Sequence, residues 1–93
     1  MATSTIALGG FWNSQRVTNA DDMNSLRNSG FYHQRDTNLP ANAPTDSNIY
    51  NANIIVMASN NGNLVTQFWA SSNKKAVYCR WYINGTWTTW AAL

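Results

Sequence analysis

From about residue 54 to residue 90, β-rich apolar runs are punctuated by short polar turn segments, the pattern of consecutive β-strands. Four β-rich runs, Ile54–Ala58, Leu64–Trp69, Lys75–Ile83 and Thr86–Trp90, are separated by turn chemistry. Asn61-Gly62 supplies positive-φ residues for the first turn, Ser71-Ser72-Asn73 forms the second, and Asn84-Gly85 is a two-residue hairpin signal. These elements predict an antiparallel meander of about four to five strands. In the third run Val77, Cys79, Trp81 and Ile83 point one way, while Ala76, Tyr78, Arg80 and Tyr82 point the other. In the second, Leu64 and Phe68 oppose Val65, Gln67 and Trp69. Both faces thus carry large apolar groups, whereas a sheet with one wet face alternates cleanly. The second face calls for a cover, either a loop with aromatic plugs or a neighbouring subunit, and is a first hint of an oligomer.

The first half is less regular. Residues 1–19 read as an extended arm and residues 20–93 as the folded domain. Helical periodicity is confined to about Asn19–Asn28, where Asn19 or Asp21 would cap a turn carrying Met23 and Leu26, and Gly30 stops it. From Arg35 to Asn53 the chain is dense in Asn, Asp, Thr and Pro, and Pro40 and Pro44 make it a long loop. The fold class is therefore mainly β, with small α+β character if the short N-terminal helix forms.

A chain of 93 residues allows one domain with a thin core. Charged residues are 11% of it, under half the usual share of about 25%, so polarity comes from neutral side chains. Net charge is +2 with scattered cations and only Lys74-Lys75 adjacent, which provides no phosphate-tracking stripe and excludes a nucleic-acid partner. The single Cys79 precludes an intrachain disulfide, and with one His there is no four-ligand zinc site. No apolar run nears the roughly 18 residues of a membrane span, and the first residues lack a basic leader stretch.

Catalytic constellations are sparse, and the chain reads as a non-enzyme without cofactor or metal. His33 with Asp36 lies in a turn-rich segment, and the bland reading is a satisfied or solvent-facing imidazole. Asp21-Asp22 reads as a helix cap rather than a paired-carboxylate site. Cys79 reads as a small buried hydrophobe, because alternation keeps Arg80 on the opposite side. Aromatics are the strongest signal, with five Trp, four Tyr and three Phe. Some belong to the core; two or three on the surface suit stacking on sugars, with Asn-rich loops reading hydroxyls.

Six short stretches occur in order: Asp22-Met23-Asn24, Gly30-Phe31-Tyr32, Asn42-Ala43-Pro44, Val65-Thr66-Gln67, Tyr78-Cys79-Arg80 and Trp87-Thr88-Thr89-Trp90. Together they resemble the pyocin-knob type of domain found near the tips of phage tail fibres and R-type pyocin fibres. The resemblance covers about residues 20–93, with Met23 standing where the family usually has Leu, a nearly volume-conserving exchange. It implies a homotrimer at the tip of a virion fibre, next to other tail fibre or baseplate proteins. Such a knob is assembled in the host cytoplasm and acts at the host surface. The implied function is attachment to a receptor, with a bacterial surface glycan such as lipopolysaccharide or wall polysaccharide expected. The alternative is a structural trimerisation or capping domain that does not touch the receptor. By the same resemblance Gly30, Tyr32, Pro44, Gln67, Tyr78, Arg80, Trp87 and Trp90 are framework.

Recognition is then expected on loops between framework residues. The candidates are Tyr50 in the long loop, and Trp69, Asn73 and Lys74 at the second turn, with Trp69 as stacking platform and Lys74 meeting anionic groups. Trp87 and Trp90, three apart, should plug two different layers or flank a bulge.

Overall fold

The computed structural model describes residues 14–93. A single mixed sheet of seven strands dominates it. In chain order these are β1 (Gln15–Arg16), β2 (Gly30–Gln34), β3 (Ala52–Ser59), β4 (Leu64–Ser71), β5 (Ala76–Ile83), β6 (Thr86–Trp87) and β7 (Ala91–Ala92). They lie side by side from β1 to β6, and β7 joins the same outer edge of β5 as β6. The meander expected from the sequence is its centre, β3–β4–β5. Four strands flank it that were expected otherwise or not read from alternation. β1 pairs with β2 in parallel, so the sheet is mixed. The 1–19 arm lies mostly outside the described residues, but its last part, with Val17 buried and its amide bonded to His33 O at 2.7 Å, belongs to the sheet edge.

The hairpins follow from local chemistry. Asn84 and Gly85 sit at φ 46° and 102° between the paired Ile83 and Thr86, the two-residue loop that the sequence predicts. Asn60, Asn61 and Gly62 all have positive φ before β4 begins. Among the described residues, six of the seven non-glycine residues with positive φ are Asn. Asn tolerates the left-handed region because its short amide bonds locally. Asn61 and Asn84 thus shape turns as the sequence predicts, and Asn42, Asn48, Asn51 and Asn60 in the Asn-rich loops also adopt the left-handed conformation.

The short N-terminal helix is a correction. Within Asn19–Asn28 a single 3-10 turn forms, Met23–Ser25, capped by Asp22, whose carboxylate accepts from the Asn24 amide. The turn does not propagate: Arg27 N donates to Ser25 O instead of Met23 O, and Gln67 Nε2 donates to Met23 O at 2.7 Å, beside the Leu26 amide, and to Leu26 O at 2.9 Å. The last predicted strand, Thr86–Trp90, is also corrected. It breaks after Trp87, where Trp81 N donates to Thr88 Oγ1 instead of to backbone.

One sheet face is packed. Ile54, Val56, Val65, Gln67, Trp69, Tyr78 and Arg80 are buried under the 3-10 turn and the segment 35–51, which contribute Met23, Ile49, Ala43, Leu26 and Leu39. The plugs are aliphatic rather than aromatic. The loop is clamped by Gln34, buried at the end of β2: its Nε2 donates to Asp36 O and its Oε1 accepts from Asn51 N at 2.9 Å.

Candidate binding site

The four residues expected to meet a receptor come out differently. Trp69 is fully buried, its indole donating to Ile49 O at 2.8 Å and its ring meeting Trp90 edge-on at 6.4 Å. It has no face to offer a sugar, and the stacking-platform assignment is corrected: β4 points it into the covered face with Val65 and Gln67. Asn73 Nδ2 donates to Asn48 O at 3.2 Å and Lys74 Nζ to Ser47 O at 3.2 Å. Tyr50 Oη donates to Asn48 Oδ1 at 3.4 Å. Asn73 and Lys74 thus fasten the 47–48 backbone to the β4–β5 turn, while the Tyr50 bond stays within the loop.

The residues assigned as framework converge. Gln67 is held against Met23 and Leu26, and its Oε1 accepts from Arg80 Nε at 2.9 Å. The Arg80 guanidinium lies 3.8 Å over the Trp87 ring and 4.7 Å from that of Trp90. Trp90 Nε1 donates to Asn42 O at 2.8 Å, and Asn42 Nδ2 donates to Asp22 Oδ1 at 2.8 Å. Tyr78 Oη donates to Asp46 Oδ2 at 2.8 Å, and Tyr32 Oη to Asn28 O at 3.3 Å. Asp22, Asn42, Gln67, Arg80, Trp87 and Trp90, distant in sequence, thus form one linked cluster, while Tyr78 and Tyr32 bond separate partners. Because the strand breaks between them, Trp87 and Trp90 contact the same guanidinium rather than two layers.

Between this cluster and solvent lies a cleft of about 510 Å³, in the size range of small-ligand sites. Asn24, Asn42, Ala43, Thr45, Arg80, Trp87, Thr88, Thr89 and Trp90 line it. Burial pushes the Arg80 guanidinium down to about 10, with the Asp22 charge opposing the shift, so it remains a cation at neutral pH. Hydrogen bonds from Asn42 and the Asn24 amide hold the Asp22 carboxyl below its ordinary value, against the effect of burial. Burial, then Asp46, raises the Tyr78 phenol. Asn24, Thr45, Thr88 and Thr89 were not singled out as site residues from the sequence. Their only signal is position, within or next to the motif stretches.

The other face of β3–β5 is open. Ile55, Met57, Leu64, Val77, Trp81 and Ile83 are exposed there, Met57 at 51% and Ile83 at 52%. Between the exposed residues, Ile55 pairs across to the half-buried Phe68, which pairs to the buried Cys79. No Asp, Lys or Arg stands on it in these three strands. Exposed apolar residues grouped on one sheet face mark a surface on which partners dock.

Elsewhere, His33 Nδ1 lies 2.7 Å from Ser14 Oγ, while Asp36 bonds to Arg16 at 3.0 Å, so His33 and Asp36 have separate partners. Cys79 is buried. Among the described residues no group of three His, Cys, Asp or Glu is placed to hold a metal, and no helix is long and apolar enough to cross a membrane. Compared with protein-family models, curated proteins and solved structures, the chain finds no match in any of the three.

Proposed function

We propose that this chain is a non-catalytic knob domain at the tip of a phage tail fibre, which assembles as a homotrimer and attaches the virion to a glycan on the bacterial surface. The observation that carries the reading is the open, uncharged apolar face of β3–β5. Copies of a face without charge meet without like-charge repulsion, and closed cyclic symmetry buries such a face in every copy. The clustering of Asp22, Gln67, Arg80, Trp87 and Trp90 supports it further, since the stretches that carry the resemblance work as one framework. Weak single contacts then gain strength through multivalency.

The hydrogen bonds that tie Asn73 and Lys74 to the 47–48 backbone favour a second reading, a trimerisation domain that does not itself touch the host. Light scattering and cell binding separate the two. The full chain should run as a trimer at micromolar concentration, and labelled protein should bind bacterial cells that carry intact surface polysaccharide. A trimer that binds no cells selects the structural reading; a stable monomer defeats both.

A further inference from the structure

Two buried side-chain atoms in the described residues lack a hydrogen-bond partner, Arg80 Nη2 and Asn24 Oδ1, and both residues line the same cleft. Buried polar atoms are otherwise paired as a rule, and an orphan costs stability. Arg80 is only 4% exposed, and its Nε is already committed to Gln67, so Nη2 is a fixed, charged donor with nothing to donate to.

The polarity of the pair selects the ligand. One atom is a donor and the other an acceptor. A carboxylate or phosphate would satisfy Arg80 but would set lone pairs against Asn24 Oδ1, and Asp22 already supplies the countercharge felt by Arg80. A hydroxyl both accepts and donates, and vicinal hydroxyls do so at neighbouring positions. Around the pair stand the half-buried rings of Trp87 and Trp90 and the exposed Thr45 and Thr89. Aromatic surface beside fixed polar groups is the composition that receives the apolar C–H side and the hydroxyl edge of a sugar.

We infer that this cleft is a binding site for one neutral sugar unit, with hydroxyls accepting from Arg80 Nη2 and donating to Asn24 Oδ1. This deepens the attachment reading, on which its biological sense rests, by placing the glycan contact away from the Tyr50 and Lys74 loops.

The experiment uses the full chain in NMR titrations with glucose, galactose, mannose, rhamnose and N-acetylglucosamine at millimolar concentrations, against glucuronate and inorganic phosphate. At least one neutral sugar should give saturable shifts at the Trp87 and Trp90 indoles and at Arg80 Nε. Asn24→Leu removes the orphan acceptor, so it should fold with an unchanged or higher melting temperature and lose the sugar response at least tenfold. Response to the anions alone, no response to any probe, or an undiminished response in Asn24→Leu each overturns the inference. Cell binding by the same samples keeps the two readings apart. A wild-type chain that binds cells but no sugar in the cleft leaves attachment standing, and one that binds sugar but no cells leaves the cleft standing.

Discussion

Gln67 is the residue whose replacement should be felt most for its size. It is fully buried in mid-β4 and makes three hydrogen bonds, to Met23 O, to Leu26 O and from Arg80 Nε. Gln67→Met keeps the shape and removes all three. Met23 O retains the Leu26 amide at 3.2 Å, so its loss is partial. Leu26 O loses a donor, and Arg80 Nε becomes a buried charged donor without an acceptor. Orphaned buried groups cost about 1–3 kcal/mol each, more when charged, which puts the substitution near 3–4 kcal/mol after the gain from an apolar side chain. That is a large share of the roughly 5–15 kcal/mol that holds a small domain together. Urea unfolding followed by Trp fluorescence, at one fixed protomer concentration, measures it. The double variant Gln67→Met/Arg80→Met removes the orphaned Nε as well. Its cost should fall short of the sum of the two single costs by about 1–3 kcal/mol. A Gln67→Met cost under about 1 kcal/mol, or strictly additive costs, would refute the idea that the Gln67 bonds hold the cover on the sheet.

Three further outcomes follow from the same geometry. The Asp22 carboxyl is held below its ordinary 3.8, so its stabilisation is present above that pH and lost as acid protonates the folded state; Asp22→Ala should lower the urea midpoint at pH 6 and flatten the loss of stability below pH 4. Asn84 at φ 46° tolerates Gly but not a β-branched side chain: Asn84→Val should cost about 1–2 kcal/mol and Asn84→Gly should leave the melting temperature nearly unchanged. Because association stabilises by mass action, the wild-type melting temperature should rise with protomer concentration, and Met57→Lys on the open face should abolish the rise.

Local chemistry was legible in the sequence, and tertiary choices were not. Asn61-Gly62 and Asn84-Gly85 marked their turns because positive φ is a property of the residues themselves. Alternation placed Gln67, Trp69, Tyr78 and Arg80 on one face and Ile83, Trp81 and Val77 on the other. It did not say which of two apolar faces the loop would cover, and that choice decides whether Trp69 or Trp81 meets solvent. The 3-10 turn near Met23, where a helix was expected, is bonded at two of its carbonyls by Gln67, a side chain far along the sequence that no local pattern records. β1 was missed since two edge residues, Gln15 and Arg16, carry no periodicity. Thr88, whose hydroxyl accepts the Trp81 amide where a strand would offer a carbonyl and which sits between two Trp rings that both meet Arg80, leaves no trace in a two-residue period.

The covering loop has few apolar groups of its own, so the sheet must reach up and hold it by polar bonds. Gln34, Gln67, Trp69 and Ser71 all donate to carbonyls of the cover. A side chain bonded in this way is committed to the fold and has nothing left for a ligand, which is why the buried polar groups of β4 make poor recognition residues. What remains unspent divides between the two sides of the sheet. On the covered side it is the unpartnered, buried Arg80 and Asn24 atoms of residues that line the cleft; on the other it is the apolar surface of β3–β5. Residues on opposite faces of one strand cannot be buried by the same partner. Assembly through the open face would therefore leave the cleft of every copy uncovered and pointing away from the contact between copies. A sugar site and an assembly surface can then be selected independently, and each added copy multiplies the sites without consuming any of them.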